Sequence, residues 1–248
     1  MTADPLKTSI ASGLLLSGPA PVQAPAPLVM DCPHSGRDYP VGFRYACDPL
    51  LLRQAEDNHV DTLLADTGFP LLIALFPRTY IDVNRAADDI EDELLAEPWP
   101  GPRNPSPRAG AGAGLIRRVM QNGLPVYDRK LNVKEIQDRI DKYYIPYHQT
   151  LKKLLDETYA LHGRIWHMNW HSMPDAAQPG GMPDFVLGDF DHTSCDPDFT
   201  YAVQNYLHGR GYSVALNHPY KGAELITRYS DPARARHSLQ IEINKRLY

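Results

Sequence analysis

Residues 28–36 read Leu-Val-Met-Asp-Cys-Pro-His-Ser-Gly, a largely apolar run that stops at a histidine and two small residues. Such a run predicts a buried β-strand, and Ser35-Gly36 gives the backbone room to turn directly behind the imidazole of His34. In open α/β sheets, ligands and metal ions bind beyond the carboxyl ends of the strands. The pattern therefore predicts that His34 lies where a functional site would form, although a single histidine is more often a structural residue in a turn.

The composition narrows the class of protein. The chain has 248 residues and a formal net charge of −5, which fits one large α/β domain or two small ones, and its scattered arginines argue against a nucleic-acid partner. No apolar segment approaches the roughly 18–20 residues that cross a bilayer, and Leu14-Leu15-Leu16 is too short for a signal-peptide core, so we expect no membrane partner and a cytoplasmic location. The cysteines lack zinc-finger spacing and indicate neither a disulfide framework nor a cysteine zinc site; they are Cys32, Cys47 and Cys195.

The N-terminal region differs in composition from the rest of the chain. It is rich in alanine and proline, and four prolines between residues 19 and 27 prevent a continuous helix. Residues 1–27 are therefore expected to form an extended lead-in on the surface, and residues 28–248 a single catalytic domain.

Hydrophobic periodicity predicts helices over residues 49–66 and 133–159. Asn132 and Glu135 have the spacing of a capping box at the start of the longer helix, and Pro146 should kink it. Shorter apolar runs predict strands over residues 71–75, 80–83 and 212–216.

Two further strands carry polar residues that need an explanation. Residues 164–174 read as a strand that runs into His171-Ser172, which repeats the pattern around His34. In the last predicted strand, residues 237–244, the apolar side chains share one face and leave Glu242 on the other. A carboxylate in the middle of a strand needs a functional or structural reason.

His34, His171 and Glu242 are residue types that a mononuclear zinc hydrolase requires. Such a site uses three His or carboxylate ligands, an open fourth position and a nearby carboxylate as base, and the acidic pair Glu56-Asp57 could supply the third ligand. The motif His-Glu-x-x-His is absent, which excludes a helical zincin, and the lack of a Gly-x-Ser-x-Gly elbow argues against a serine hydrolase. The spacing alone does not identify the enzyme.

Seven short sequence motifs, which we call the seven short strings, occur along the chain in an order typical of one protein family. They are Pro-His-Ser-Gly at 33–36, Tyr-Ile-Asp-Val-Asn-Arg at 80–85, Trp-His-Ser-Met-Pro at 170–174, Pro-Asp-Phe-Val-Leu-Gly at 183–188, Asn-His-Pro-Tyr-Lys-Gly at 217–222, Ile-Thr-Arg at 226–228 and Gln-Ile-Glu-Ile-Asn at 240–244. Together they resemble the N-formylglutamate amidohydrolase family, from about Leu28 to the C-terminus. The resemblance implies a single α/β domain with a mixed central β-sheet and helices on both faces. Its fold would be zinc-carboxypeptidase-like (phosphorylase/hydrolase-like), similar to that of the aspartoacylase-like deacylases.

The resemblance also implies a metal site. By position, His34 and His171 would be the zinc-binding histidines and Asp57 the carboxylate ligand, with Glu56 as its direct competitor. One position departs from the family, which commonly has Asp two residues before the second histidine. This chain has Asn169 there, which can orient a ligand by a hydrogen bond but cannot add charge.

The remaining implied residues concern the reaction. Glu242 would be the general base, and Arg78 would polarise the scissile carbonyl. Asn84 and Arg85 would bind a substrate carboxylate, which an arginine can hold with two parallel hydrogen bonds. The implied reaction is cleavage of a small-molecule N-acyl amino acid, such as N-formylglutamate to formate and glutamate, by glutamate-assisted attack of zinc-bound water.

Two other classes of function remain open from the sequence. One is a zinc carboxypeptidase-like enzyme acting on short peptides or cell-wall fragments, and the other is a non-catalytic binding domain of the same fold. The first depends on how far the long segment 86–114, which we expect to be a functional lid or flap, closes the pocket. The second predicts loss of a metal ligand or of the base, whereas every candidate is present in this chain.

Overall fold

The computed structural model of the protein describes residues 8–11, 13–120, 122–175 and 181–248. Its centre is one mixed β-sheet, as predicted, with eight strands in this part of the chain. In chain order the strands are β1 (Thr8–Ala11), β2 (Leu14–Ser17), β3 (Leu28–Cys32), β4 (Leu71–Ala74), β5 (Ile165–Met173), β6 (Phe185–Gly188), β7 (Val214–Leu216) and β8 (Arg236–Asn244).

The strand order across the sheet is β1-β2-β4-β3-β5-β8-β6-β7. The central strands β4, β3, β5 and β8 run parallel, while β2 is antiparallel to β4 and β6 is antiparallel to β8. Parallel neighbours have their carboxyl ends at the same edge of a sheet. The side chains at the ends of β3, β5 and β8 are therefore brought to one edge.

The helices vary widely in length. They are α1 (Pro49–Gln54), α2 (Val60–Leu63), α3 (Pro107–Gly110), α4 (Val133–Arg139), α5 (Ile145–His162), α6 (Pro197–His208) and α7 (Glu224–Tyr229). Among the residues described, none of these helices combines the length and the apolar character that a membrane span requires.

Helices cover both faces of the sheet, as predicted. Helix α5 packs against β3, β4 and β5, and its Tyr147, Leu151 and Leu155 are buried in the largest core. Helix α2 adds Val60 to a second core, and α6 adds Phe199 to a third. Because side chains alternate along a strand, these smaller cores lie on the sheet face opposite α5.

Helices α4 and α5 form one continuous element with a π-helical turn, Ile140–Tyr144, between them. The predicted cap is present, because the side-chain oxygen of Asn132 accepts a hydrogen bond from the backbone N–H of Glu135 at 2.7 Å. The π-helical turn ends two residues before Pro146, which has no N–H to donate to a regular α-helical pattern.

The N-terminal region differs from the expected surface lead-in. Residues 8–11 form β1 and residues 14–17 form β2, and β2 pairs with β4 along its whole length. Leu14 is fully buried in the largest core. The composition was misleading because the proline cluster, Pro19 to Pro27, follows both strands and no proline lies within residues 8–17. Residues 1–7 of the predicted lead-in lie outside the described residues.

The prediction of a strand over residues 80–83 is wrong. These residues form turns, in which the N–H of Tyr80 donates to the carbonyl of Pro77 at 3.0 Å and the N–H of Arg85 to the carbonyl of Asp82 at 3.2 Å. The apolar side chains of this segment are buried in the core. A short buried turn and a short buried strand share the same apolar pattern.

The helix predicted over residues 49–66 is interrupted. Helix α1 ends at Gln54, α2 begins at Val60, and His59 between them has a left-handed backbone with φ 66°. In the gap, the backbone N–H of Asp57 donates to the carbonyl of His34 at 3.0 Å. The break in the helix is therefore what brings Asp57 to the end of β3.

Candidate active site

The turn after β3 holds His34 and Asp57 side by side. The hydroxyl of Ser35 donates to the carbonyl of Asp57 at 2.7 Å, which adds to the backbone bond between Asp57 and His34. Gly36 allows the chain to pass the segment that follows β4, because a Cβ atom at this position would lie 2.3 Å from the carbonyl oxygen of Phe76. The small residues after the histidine therefore have the role predicted for them, which is to let the backbone turn.

Strand register places His171 beside Glu242. The two residues are directly paired between the parallel strands β5 and β8, so their side chains lie on the same face of the sheet. His171 lies inside β5, which continues to Met173, and not in a turn after the strand. Both side chains are buried.

Three side-chain atoms converge at the end of the central strands. Nδ1 of His34 lies 3.0 Å from Nδ1 of His171, and Oδ2 of Asp57 lies 3.0 Å from His171 Nδ1 and 3.4 Å from His34 Nδ1. We call these three side chains the His-Asp-His group. They are the residues that could hold a metal ion in the described part of the chain, and all three are buried.

The hydrogen bonds around the two imidazoles define their protonation. Nε2 of His34 lies 2.7 Å from a carboxylate oxygen of Asp82, so this nitrogen carries the proton. The amide nitrogen of Asn169 donates to Asp31 at 2.9 Å, which turns its oxygen towards His171 Nε2 at 2.7 Å. The amide nitrogen of Asn84 lies 3.2 Å from the same Nε2, and the shorter contact with the Asn169 oxygen assigns the proton to Nε2. Each Nδ1 atom is then left with a lone pair.

The His-Asp-His group therefore consists of three hydrogen-bond acceptors with no donor between them. Two nitrogen lone pairs and a carboxylate within 3.4 Å of one another repel. A cation among them would remove this repulsion, and two imidazole nitrogens with one carboxylate oxygen are a ligand set that suits zinc and related divalent metals. The donor atoms thus fit a metal ion.

Asp82 links the metal-binding candidates to Arg78. It accepts hydrogen bonds from His34 and from Nε and Nη2 of Arg78, at 3.2 and 2.8 Å. Burial opposes its ionisation, but Arg78 and His34 outweigh burial and hold the pKa of Asp82 well below its usual range. The sequence contained a signal for Asp82, because this acid stands between two apolar residues, Ile81 and Val83. Both neighbours are fully buried in the structure.

Asn169 is supported by a buried acid that the sequence analysis missed. Asp31, in β3, is fully buried and accepts hydrogen bonds from the hydroxyl of Tyr147 at 2.5 Å, from His167 Nε2 at 2.9 Å and from Asn169. Burial works against the charge of Asp31, yet these partners lower its pKa. Asn169 itself carries no charge, but it links His171 by hydrogen bonds to the negatively charged Asp31.

Glu242 has the properties of a proton acceptor near neutral pH. The amide nitrogen of Gln240, two residues earlier on the same strand face, donates to its carboxylate at 3.0 Å. Burial, together with the nearby carboxylate of Asp57, raises the pKa of Glu242 to about 7. Glu56, by contrast, does not belong to the His-Asp-His group and accepts a hydrogen bond from Tyr39.

The His-Asp-His group opens into a small polar pocket of about 180 Å³, which Glu242 and Arg78 also line. Asn84 lines it too, but its oxygen already accepts from the N–H of Leu225 at 2.9 Å and its nitrogen lies 3.2 Å from His171 Nε2. Nε of Arg85 donates to the carbonyl of Ala113 at 3.3 Å. All seven predicted site residues thus come together around one pocket. They are His34, Asp57, Arg78, Asn84, Arg85, His171 and Glu242.

Residues 26–248 match the family model of N-formylglutamate amidohydrolase. The chain belongs to this family. The crystal structure of N-formylglutamate amidohydrolase from Ralstonia eutropha JMP134 has 44% sequence identity and a TM-score of 0.90, and the match covers 96% of this chain and 88% of that chain. The family resemblance carried by the seven short strings is therefore confirmed.

More distant relatives of the family agree. The N-formylglutamate deformylase of Pseudomonas putida is 29% identical over 91% of this chain and 83% of its own length. That of Pseudomonas aeruginosa is 26% identical over 90% of this chain and 82% of its own length. A gene product of Agrobacterium tumefaciens, at 17% identity and a TM-score of 0.70, shares the fold.

Proposed function

We propose that the protein is a zinc-dependent amidohydrolase that cleaves N-formylglutamate to formate and glutamate. The observation that carries this proposal is the buried His-Asp-His group, in which two imidazole Nδ1 atoms and a carboxylate oxygen lie within 3.4 Å of one another. Relatives with the name N-formylglutamate deformylase support the choice of substrate. The central parallel strands with both histidines at one edge further support a zinc-carboxypeptidase-like fold.

His34, Asp57 and His171 would hold the ion. Asp82 and Asn169 would keep the two imidazoles in the tautomer that presents Nδ1, because each accepts the proton on Nε2. When bound, zinc supplies a Lewis acid that makes water acidic enough to ionise near neutral pH.

Glu242 would move the proton during the reaction. It takes a proton from the attacking water and returns it to the leaving nitrogen, so that water and the amide become formate and an amine. Arg78 would stabilise the developing charge on the carbonyl oxygen. Its guanidinium is held in place by Asp82 and lies 4.0 Å from Asp57.

Arg85 would bind a carboxylate of the substrate. Asn84 would position this wall of the pocket, because its side-chain oxygen already accepts a hydrogen bond from the N–H of Leu225. The segment predicted to be a lid contributes Arg108 to the lining. A pocket of about 180 Å³ supports an N-acyl amino acid as substrate over a peptide or cell-wall fragment.

The proposal is tested by measuring zinc content and formate release on one preparation. We expect about one zinc per chain, formate release from N-formyl-L-glutamate, loss of activity after chelation and recovery when zinc is returned. Turnover that persists in fully metal-free protein would overturn the metal dependence. Absence of formate release from the zinc-loaded protein would overturn the substrate.

A first prediction compares the two adjacent acids. Asp57→Asn should lower zinc affinity by at least tenfold, because the amide oxygen is neutral and the group loses its only charge. Glu56→Gln should change zinc affinity little, because Glu56 faces Tyr39. Zinc titration of both variants measures this difference, and the reverse order would make Glu56 the ligand.

A second prediction concerns Arg85. Arg85→Lys keeps the charge but removes the two-pronged hydrogen bond, so kcat/KM for N-formyl-L-glutamate should fall roughly tenfold. Wild-type enzyme should be poor on the analogue with an amidated α-carboxylate. Arg103→Lys, whose side chain pairs with Asp92, is the control and should keep wild-type kinetics. Equal turnover of the acid and the α-amide would contradict the role of Arg85.

A further inference from the structure

The pocket contains arginines that lack an anionic partner. Arg78 pairs with Asp82, and Lys221 pairs with Asp191. Arg108 and Arg117 also line the pocket, but neither guanidinium forms a hydrogen bond or ion pair within the described ranges. Arg108 is exposed at the mouth, whereas Arg117 is half-buried. Arg117 is thus a partly desolvated cation directed into the pocket with its charge unmatched.

The chain fixes the position of Arg117 firmly. The two preceding residues, Leu115 and Ile116, are buried in the core. The backbone of Leu115 donates to the carbonyl of Asp89 at 2.9 Å and accepts from the N–H of Asp82 at 2.8 Å. The segment that carries Arg117 is therefore hydrogen-bonded directly to the loop that carries Arg78 and Arg85. Arg117 is held in this position although its side chain has no partner among the described residues.

The surrounding charges make Arg117 a receptor for an anion. Burial, together with the neighbouring Arg78, lowers the pKa of Arg117 to about 10. Arg85, also on this wall, donates only to the backbone oxygen of Ala113 within the described residues. Because like charges in a partly buried pocket repel, a ligand with two negative groups would stabilise both arginines.

We propose that Arg117 binds the side-chain carboxylate of the substrate and thereby selects dicarboxylic N-acyl amino acids over those with neutral side chains. This inference rests on the proposed function, in which Arg85 holds the α-carboxylate. Arg117 lies deeper than Arg108 and is rigidly supported, so it is the anchor of the second carboxylate. Arg118, the next residue, forms a two-pronged ion pair with Glu91 instead.

The test compares N-formyl-L-glutamate with N-formyl-L-norvaline, which lacks the side-chain carboxylate. Arg117→Gln should lower kcat/KM for the glutamate substrate roughly 10- to 100-fold, which is the loss typical of a hydrogen bond to a charged group. The same variant should leave kcat/KM for the norvaline substrate within about twofold of wild type. The preference for the dicarboxylate should therefore nearly disappear.

Arg118→Gln is the matched control. It makes the same change one residue away and breaks an ion pair, so it disturbs the local backbone at least as much as the change at Arg117. We expect Arg118→Gln to retain the preference for the dicarboxylate. An equal loss of preference in both variants would overturn the proposal, because the effect would then be structural. Unchanged preference in Arg117→Gln would overturn it as well.

A binding measurement separates this inference from the proposed function. Glutarate has two carboxylates and no amide bond, and butyrate has only one carboxylate. Calorimetry should show that wild type binds glutarate more tightly than butyrate and that Arg117→Gln loses this difference. If the zinc-loaded wild type releases no formate but glutarate binding depends on Arg117, the proposed function fails and the carboxylate subsite stands. If glutarate binding is independent of Arg117, the subsite fails.

Discussion

Glu242→Gln is expected to lower turnover of N-formylglutamate by roughly 10²- to 10⁴-fold while zinc content and fold are retained. The reason is positional. Leu239 and Ile241 fix β8 in a core on one face of the sheet, so Glu242 is presented on the other face, beside His171, with little freedom to move. Glutamine has nearly the same shape but cannot accept the proton. The loss should fall on kcat, because KM reflects binding by other groups.

The pH dependence adds a second readout. A carboxyl acts as a base only when ionised, so wild-type kcat should rise with pH through the pKa of Glu242. Burial places that pKa at about 7 in the metal-free protein, and a bound divalent cation would lower it by favouring the ionised form. Glu242→Gln should lose this acidic limb. Glu91→Gln is a suitable control, since Glu91 is also buried but pairs with Arg118 outside the pocket.

Two outcomes would contradict the role of Glu242. Near-wild-type turnover with zinc bound would show that another group is the base. Loss of zinc from Glu242→Gln would instead make Glu242 a metal ligand, and the assignment of Asp57 would have to be revised.

The site was predictable from sequence where a polar residue interrupts an apolar strand pattern. His171 and Glu242 were identified in this way, and strand register pairs them directly. His34 followed from the small residues behind it, and Gly36 does pass close to the backbone of Leu75 and Phe76, just after β4. These signals are local, because one residue and its immediate neighbours contain them.

Residues whose role depends on contacts distant in sequence were not predictable in the same way. Asp31 lies in an apolar strand and looks like an isolated exception until the fold brings Tyr147 and Asn169 to it. The break between α1 and α2 depends on a backbone bond from Asp57 to His34, across 23 positions of sequence. Likewise, nothing in the sequence distinguishes Arg117 from Arg118, although only Arg118 pairs with an acid among the described residues.

His34→Ala and His171→Ala are each expected to abolish stable zinc binding while the chain remains folded. Each change removes one of only three protein ligands, and both side chains lie at the edge of the sheet and outside the four hydrophobic cores. Removing one imidazole also relieves the repulsion between the facing Nδ1 atoms, so the metal-free variants should not be much less stable than the metal-free wild type.

Thermal unfolding with and without zinc measures this prediction. At about 100 times the Kd, a ligand that binds only the folded state adds about 2.7 kcal/mol, which for a chain of this size corresponds to a rise in Tm of roughly 5–10 °C. The wild type should show this shift and both alanine variants should not. His237→Gln is the matched control, because His237 is also buried in the sheet but stacks on Trp166 away from the pocket, and it should keep the zinc-dependent shift. Full zinc occupancy in either alanine variant would mean that the three converging acceptors are not the metal site, and the proposed reaction would then lose its central group.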